Sequence, residues 1–120
     1  MASLNSFGSI MSYAIELENQ IRNYYHRVGN DVRAAEADKR RQNLERVRRE
    51  NVTEIKLEPI EGLDGSDYTL DLDDTSEVGQ KAVEATATRF YRDVAPHFNV
   101  REAQRAIERA GRQHAEAAEG

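Results

Sequence analysis

Apolar side chains recur every three or four positions in four stretches of the chain. In the first stretch, residues 5–28, they fall at Ile10, Ala14, Leu17, Ile21, Tyr24 and Val28, the spacing of one face of a helix. Gly29-Asn30 follows as a stop signal, and Asp31 can cap the next helix. The second stretch, 32–52, is arginine-rich with a thin stripe of Ala37, Leu44 and Val47. The third, 76–95, carries Val83, Ala87, Phe90 and Val94, with Asp74 or Thr75 to start it and Pro96 to end it. In the fourth, 100–118, the stripe is Ala103, Ile107, Ala110, His114 and Ala117, and Asn99 with Glu102 forms a capping-box arrangement. These stretches are the predicted helices α1 to α4.

Residues 53–75 break this period. Glu54-Ile55-Lys56-Leu57-Glu58 and Asp67-Tyr68-Thr69-Leu70-Asp71-Leu72-Asp73 alternate polar and apolar, with Pro59, Gly62 and Asp64-Gly65 between them. That pattern suits either a short β-hairpin or an irregular crossover. Short connections on both sides of one long connection give two helical hairpins. The predicted fold is all-α, a single-domain antiparallel four-helix bundle with a long crossover between α2 and α3.

A shift of 66 residues superposes the hairpins. Leu17 falls on Val83, Glu18 on Glu84, Ile21 on Ala87, Tyr24 on Phe90, Tyr25 on Tyr91 and Val28 on Val94. Aligned core positions are unremarkable in helices, but a matched Glu, aromatic–Tyr pair and Val together indicate an internal repeat. Glu18 and Glu84 border apolar faces, one turn from Ala14 and Ile21 and from Ala87 respectively. A carboxylate buried there needs a cation, a proton or several donors.

Composition narrows the chemistry. With no cysteine, the chain has no disulfide, thiolate metal site or cysteine nucleophile, and a reducing, cytoplasmic setting is expected. No apolar run approaches a membrane span, and the opening residues have no basic leader pattern, so neither a membrane partner nor a signal peptide is expected. There is no phosphate-cradling glycine loop and no nucleophile elbow. Lys39, Arg40, Arg41, Arg46, Arg48 and Arg49 make α2 basic, whereas residues 58–77 are acidic. Acidic residues dilute the basic helix and no aromatic is interleaved, so a nucleic-acid partner is not expected; the basic helix instead faces the acidic segment, within one chain or between chains. The alanine-rich stripe of α4 makes a thin monomer core, so a homo-oligomer, a dimer first, is expected. His26 and His97 read as surface and loop residues.

The segments Glu16-Leu17-Glu18…Tyr24-Tyr25 and Glu84…Phe90-Tyr91 resemble the first and third helices of rubrerythrin-like members of the ferritin-like superfamily. The paired hairpins, long crossover and repeat are similar to that fold. The resemblance implies a di-iron carboxylate site used in peroxide, oxygen or iron chemistry, with Glu18 and Glu84 as ligands and Tyr25 and Tyr91 beside it. The family also uses a Glu-x-x-His on its second and fourth helices. Here those places offer Asp38-x-x-Arg41, Glu45-x-x-Arg48 and Gly111-x-x-His114. Too few oxygen and nitrogen ligands remain for two irons. Two expectations stay open. One is a single metal ion, iron first, on Glu18, Glu84 and His114. The other is a metal-free scaffold or partner-binding bundle in which a guanidinium from Arg41 or Arg48 pairs with the glutamates.

Overall fold

The computed structural model describes Leu4 and residues 6–51, 62–98 and 100–119. They form four helices, α1 Phe7–Val28, α2 Asp31–Asn51, α3 Glu77–Val94 and α4 Arg101–Glu119, in an all-α bundle of two packed hairpins, α1 on α2 and α3 on α4. None of these helices is long and apolar enough to cross a membrane.

Local chemistry sets the ends. Ser6 and Ser9 cap α1 reciprocally, Ser6 Oγ accepting from the Ser9 amide (3.1 Å) and Ser9 Oγ from the Ser6 amide (3.0 Å). Gly29 closes α1 at φ 89°, a left-handed conformation that glycine adopts without cost. Two expected caps are displaced by one or two residues. Asn30, not Asp31, caps α2, its Oδ1 accepting from the Arg33 amide at 3.1 Å. Ser76, rather than Asp74 or Thr75, caps α3, because Asp74 Oδ1 is occupied by the Ser76 amide (3.0 Å) and hydroxyl (2.6 Å). Helix α3 ends at Val94 and passes into a 3-10 turn, Ala95–His97, that holds Pro96. The expected Asn99 cap lies outside the described residues.

The crossover forms no β-hairpin among the described residues; its first alternating segment, 54–58, lies outside them. Gly65–Tyr68 is a 3-10 turn, and the chain beyond it runs without regular structure to Ser76. Among the described residues, the Leu63 carbonyl accepts from the Leu4 amide at 3.3 Å, and side chains of the neighbouring helices take several of the carbonyls beyond it. Tyr13 and Tyr24 of α1 donate to the carbonyls of Gly65 (2.7 Å) and Asp74 (2.6 Å), Arg27 of α1 to that of Leu72 (2.8 Å), and Arg89 of α3 to that of Asp67 (2.8 Å). Tyr68 and Leu70 turn inward, and Tyr68 packs edge-on against Phe90 with ring centroids 5.3 Å apart. The crossover thus covers the α1/α3 side of the bundle. Gly79 permits its last step, since a Cβ there would collide with the Asp74 carbonyl.

The core is unevenly built. Helix α1 buries Phe7, Ile10, Met11, Leu17, Ile21, Tyr24 and Tyr25, and α3 buries Val83, Phe90, Tyr91 and Val94. Helix α2 contributes Ala34, Ala37, Leu44 and Val47, and α4 contributes Ala103, Ala106, Ile107 and Ala110. Two carboxylates and an imidazole lie among these apolar groups, those of Glu18, Glu84 and His114.

Candidate functional site

Glu18 of α1 and Glu84 of α3 face each other across the centre of the bundle, and His114 of α4 stands between them. Relative exposures are 0% for Glu18, 1% for Glu84 and 0% for His114, so any charge here is removed from water. His114 Nε2 lies 2.8 Å from Glu18 Oε2, and Nδ1 lies 2.5 Å from Glu84 Oε2. A carboxylate at each ring nitrogen calls for a proton on each, because a neutral imidazole donates through only one. His114 is therefore an imidazolium clasped by two carboxylates.

The remaining oxygens are also engaged. Tyr91 Oη donates to Glu18 Oε2 at 2.5 Å, and Tyr25 Oη donates to Glu84 Oε1 at 2.7 Å. Each tyrosine lies seven residues after the glutamate on its own helix, on the same face two turns away, and reaches across to the other glutamate. The pairings 18–91 and 25–84 run in opposite directions, as antiparallel helices require. Glu18 Oε1 accepts from Arg40 Nε of α2 at 2.9 Å, and the Arg40 side chain is only 9% exposed. Arg33, one heptad before Arg40, donates to Tyr25 Oη at 3.2 Å and stands 3.8 Å from Glu84 Oε1. Among the described residues, no buried side-chain nitrogen or oxygen lacks a hydrogen-bond partner.

Burial works against both charged forms at the centre, and the neighbours overcome it. The His114 cation, together with Arg40 and Tyr91, carries Glu18 from 4.5 down to about 2. Glu18 and Glu84 carry His114 from 6.5 up to about 9. Burial and the adjacent carboxylates push Tyr25 and Tyr91 upward, so both stay protonated donors. At neutral pH two carboxylates face one imidazolium and one buried guanidinium, a balanced set with Arg33 at its edge.

Glycine sets the spacing on the α4 side. A Cβ on Gly111 would stand 3.0 Å from Tyr91 Cβ, tighter than side chains normally pack. With hydrogen there, α3 and α4 approach closely, and the His114 ring lies parallel to Tyr91, centroids 5.6 Å apart and planes 8° apart.

The structure thus brings together Glu18, Glu84, His114, Tyr25 and Tyr91. The guanidinium is a correction: it comes from Arg40, not from Arg41 or Arg48. Arg41 is held along α2 by Asp38 (2.8 Å) and Glu45 (2.9 Å), and Arg48 donates to Ser12 Oγ (3.3 Å). All three lie one turn from Leu44 or Ala37. Arg40 is one heptad before the buried Val47 and Arg41 one heptad after the buried Ala34, so register along α2 did not separate them. His26 and His97 are exposed, His26 lying 3.5 Å from Asp31.

The donor set does not fit a metal ion as it stands. Both His114 nitrogens point at carboxylates rather than at a shared vacant point, and Arg40 supplies a fixed cation on Glu18. Among the described residues, no group of three or more imidazole and carboxylate side chains is disposed to hold a metal. Comparison of the chain with protein-family models, curated proteins and solved structures gives no match.

Proposed function

We propose that this chain is a divergent relative of the ferritin-like superfamily that works as a metal-free scaffold or partner-binding bundle, with an internal ion cluster in the place of the metal centre. One observation carries this reading: every oxygen of Glu18 and Glu84, and both nitrogens of His114, are taken by groups of the same chain. Positive charge that a metal pair would supply to two facing glutamates comes instead from His114 and Arg40. The crossed Tyr25–Glu84 and Tyr91–Glu18 contacts support descent from a symmetric carboxylate site, since they relate the two hairpins in the same way as the sequence repeat. The absence of cysteine agrees with a role in a reducing compartment such as the cytoplasm.

A thermal-unfolding titration with iron(II) and with zinc tests the reading. A ligand that binds only the folded state raises its melting temperature. The expected result is no metal-dependent shift in the wild type. A shift that disappears in the Glu18→Gln, Glu84→Gln double variant would restore a single-metal site and with it iron or peroxide chemistry.

A further inference from the structure

The α2/α4 side of the bundle is open where the α1/α3 side is covered. Between the two helices runs a groove of about 510 Å³, lined in part by Lys39, Asn43, Leu44, Ala106, Arg109 and Ala110. Alanines keep its floor low. Lys39, Arg49, Arg101, Arg105 and Arg109 are exposed along this side and form no ion pair among the described residues. Arg101, Arg105 and Arg109 follow one another at four-residue intervals, so they form a row along α4 with a rise of about 6 Å per step.

The opposite side carries the complementary pattern. In the crossover Leu70 is buried and Leu72 half-buried, while Asp71 and Asp73 between and after them are exposed. In an extended segment such alternate residues point the same way, about 6.5 Å apart. Asp67 and Asp74 extend the strip, and none of the four aspartates has an ion pair among the described residues. Arg27 and Arg89 at its margin are directed to main-chain carbonyls. Spacing and sign therefore match between the arginine row and the aspartate strip, but they lie on opposite sides of one bundle and cannot meet within it.

We propose that the α2/α4 groove receives the acidic crossover of a second copy of this chain, with Asp71 and Asp73 set against the Arg101–Arg105–Arg109 row. A polyanion such as nucleic acid would meet the same arginines, but also a chain of formal net charge −5 whose other side repels it. Among the described residues, a second copy has an acidic strip without ion pairs for the groove and arginines without ion pairs for the strip. The contact is head-to-tail, so it builds rings or open chains of molecules rather than a self-complementary pair. It deepens the proposed partner-binding reading by naming the partner. It is distinguishable from that reading, because metal titration reports on the buried cluster and self-association on the surface.

The test is light scattering coupled to size separation, over a range of protein concentrations, at about 50 mM and about 500 mM salt. The wild type is expected to associate reversibly at low salt, with affinity falling on the order of tenfold or more at high salt. R105E/R109E and D71K/D73K are each expected to be monomeric, with wild-type helix content by circular dichroism. Mixing the two restores association, because the charge-reversed groove now matches the charge-reversed crossover. A monomeric wild type at low salt, or charge-reversed variants that associate as the wild type does, would overturn the proposal. So would a wild type that stays monomeric yet binds a short DNA duplex with steep salt dependence.

Discussion

The two sides of this bundle handle burial differently. Helices α1 and α3 present large apolar and aromatic side chains, and the crossover seals them with Tyr68 and Leu70. Helices α2 and α4 present alanines and arginines around an open groove. The central cluster divides the same way: its carboxylates, Glu18 and Glu84, and their tyrosines come from the apolar helices, and its cations, Arg33, Arg40 and His114, come from the polar ones. The cluster therefore joins the two sides. Large apolar surfaces hold α1 and α3 in place, whereas α2 and α4 depend more on what their cations find at the centre.

That contrast can be broken at its strongest point by replacing Glu18 and Glu84 together with glutamine. His114 and the nearly buried Arg40 then lose their counter-charges, and the folded state is expected to lose on the order of 3–5 kcal/mol in chemical denaturation. A loss below about 1 kcal/mol, the value typical of exposed pairs, would mean that the cluster does not couple the two sides.

The next effect is the pH dependence. The folded-state pKa of His114, about 9, lies above its ordinary 6.5, so its stabilisation is complete below 6.5 and lost as pH rises toward 9. Glu18 lies below its ordinary 4.5, so its share is present above 4.5 and lost as pH falls toward about 2. From these two groups, stability is highest between about 4.5 and 6.5 and falls by about 3 kcal/mol from there to pH 9. In His114→Gln the fall on the alkaline side should vanish; if denaturation midpoints of the variant still drop over that range, another group is responsible.

A smaller effect is expected on the covered side. Gly79→Ala places a methyl against the Asp74 carbonyl, which Tyr24 also holds. Displacing it should cost about 1–3 kcal/mol and raise hydrogen exchange in residues 70–76 while leaving the His114 titration unchanged. The smallest effect concerns the arginines outside the cluster. Arg41→Ala removes only contacts along α2 and should change stability by less than about 0.5 kcal/mol, whereas Arg40→Ala, which leaves Glu18 short of a partner, should cost several times more.

Much of the apolar framework was legible because helix period and the repeat are local signals. Ile10, Leu17, Ile21, Phe90 and Ile107 face inward as their spacing predicts. Glu18, Glu84 and His114 stood out because each lay on an apolar stripe. Arg40 did not, since on a mostly polar helix Arg40 and Arg41 both fall within a turn of Ala37 and Leu44. Each also lies one heptad from a buried residue, Arg40 from Val47 and Arg41 from Ala34, so only the contact across to Glu18 separates them. The role of His114 was also hidden: stripe position reveals burial, but whether an imidazole is a ligand or a cation depends on what faces both nitrogens. The crossover was misleading for a different reason. Its alternation of aspartate and leucine is that of a strand, yet the chain docks through carbonyls on Tyr13, Tyr24, Arg27 and Arg89, contacts that no local pattern encodes.

The central claim, that a protonated His114 fills the space between two glutamates, is open to direct measurement by 15N NMR of the imidazole in the intact protein. Both ring nitrogens should carry a proton at neutral pH, with a single titration near 9 that moves down in Glu18→Gln. A neutral ring at neutral pH, with one bare nitrogen and a titration near the ordinary 6.5, would contradict the account and return His114 to the role of a metal ligand.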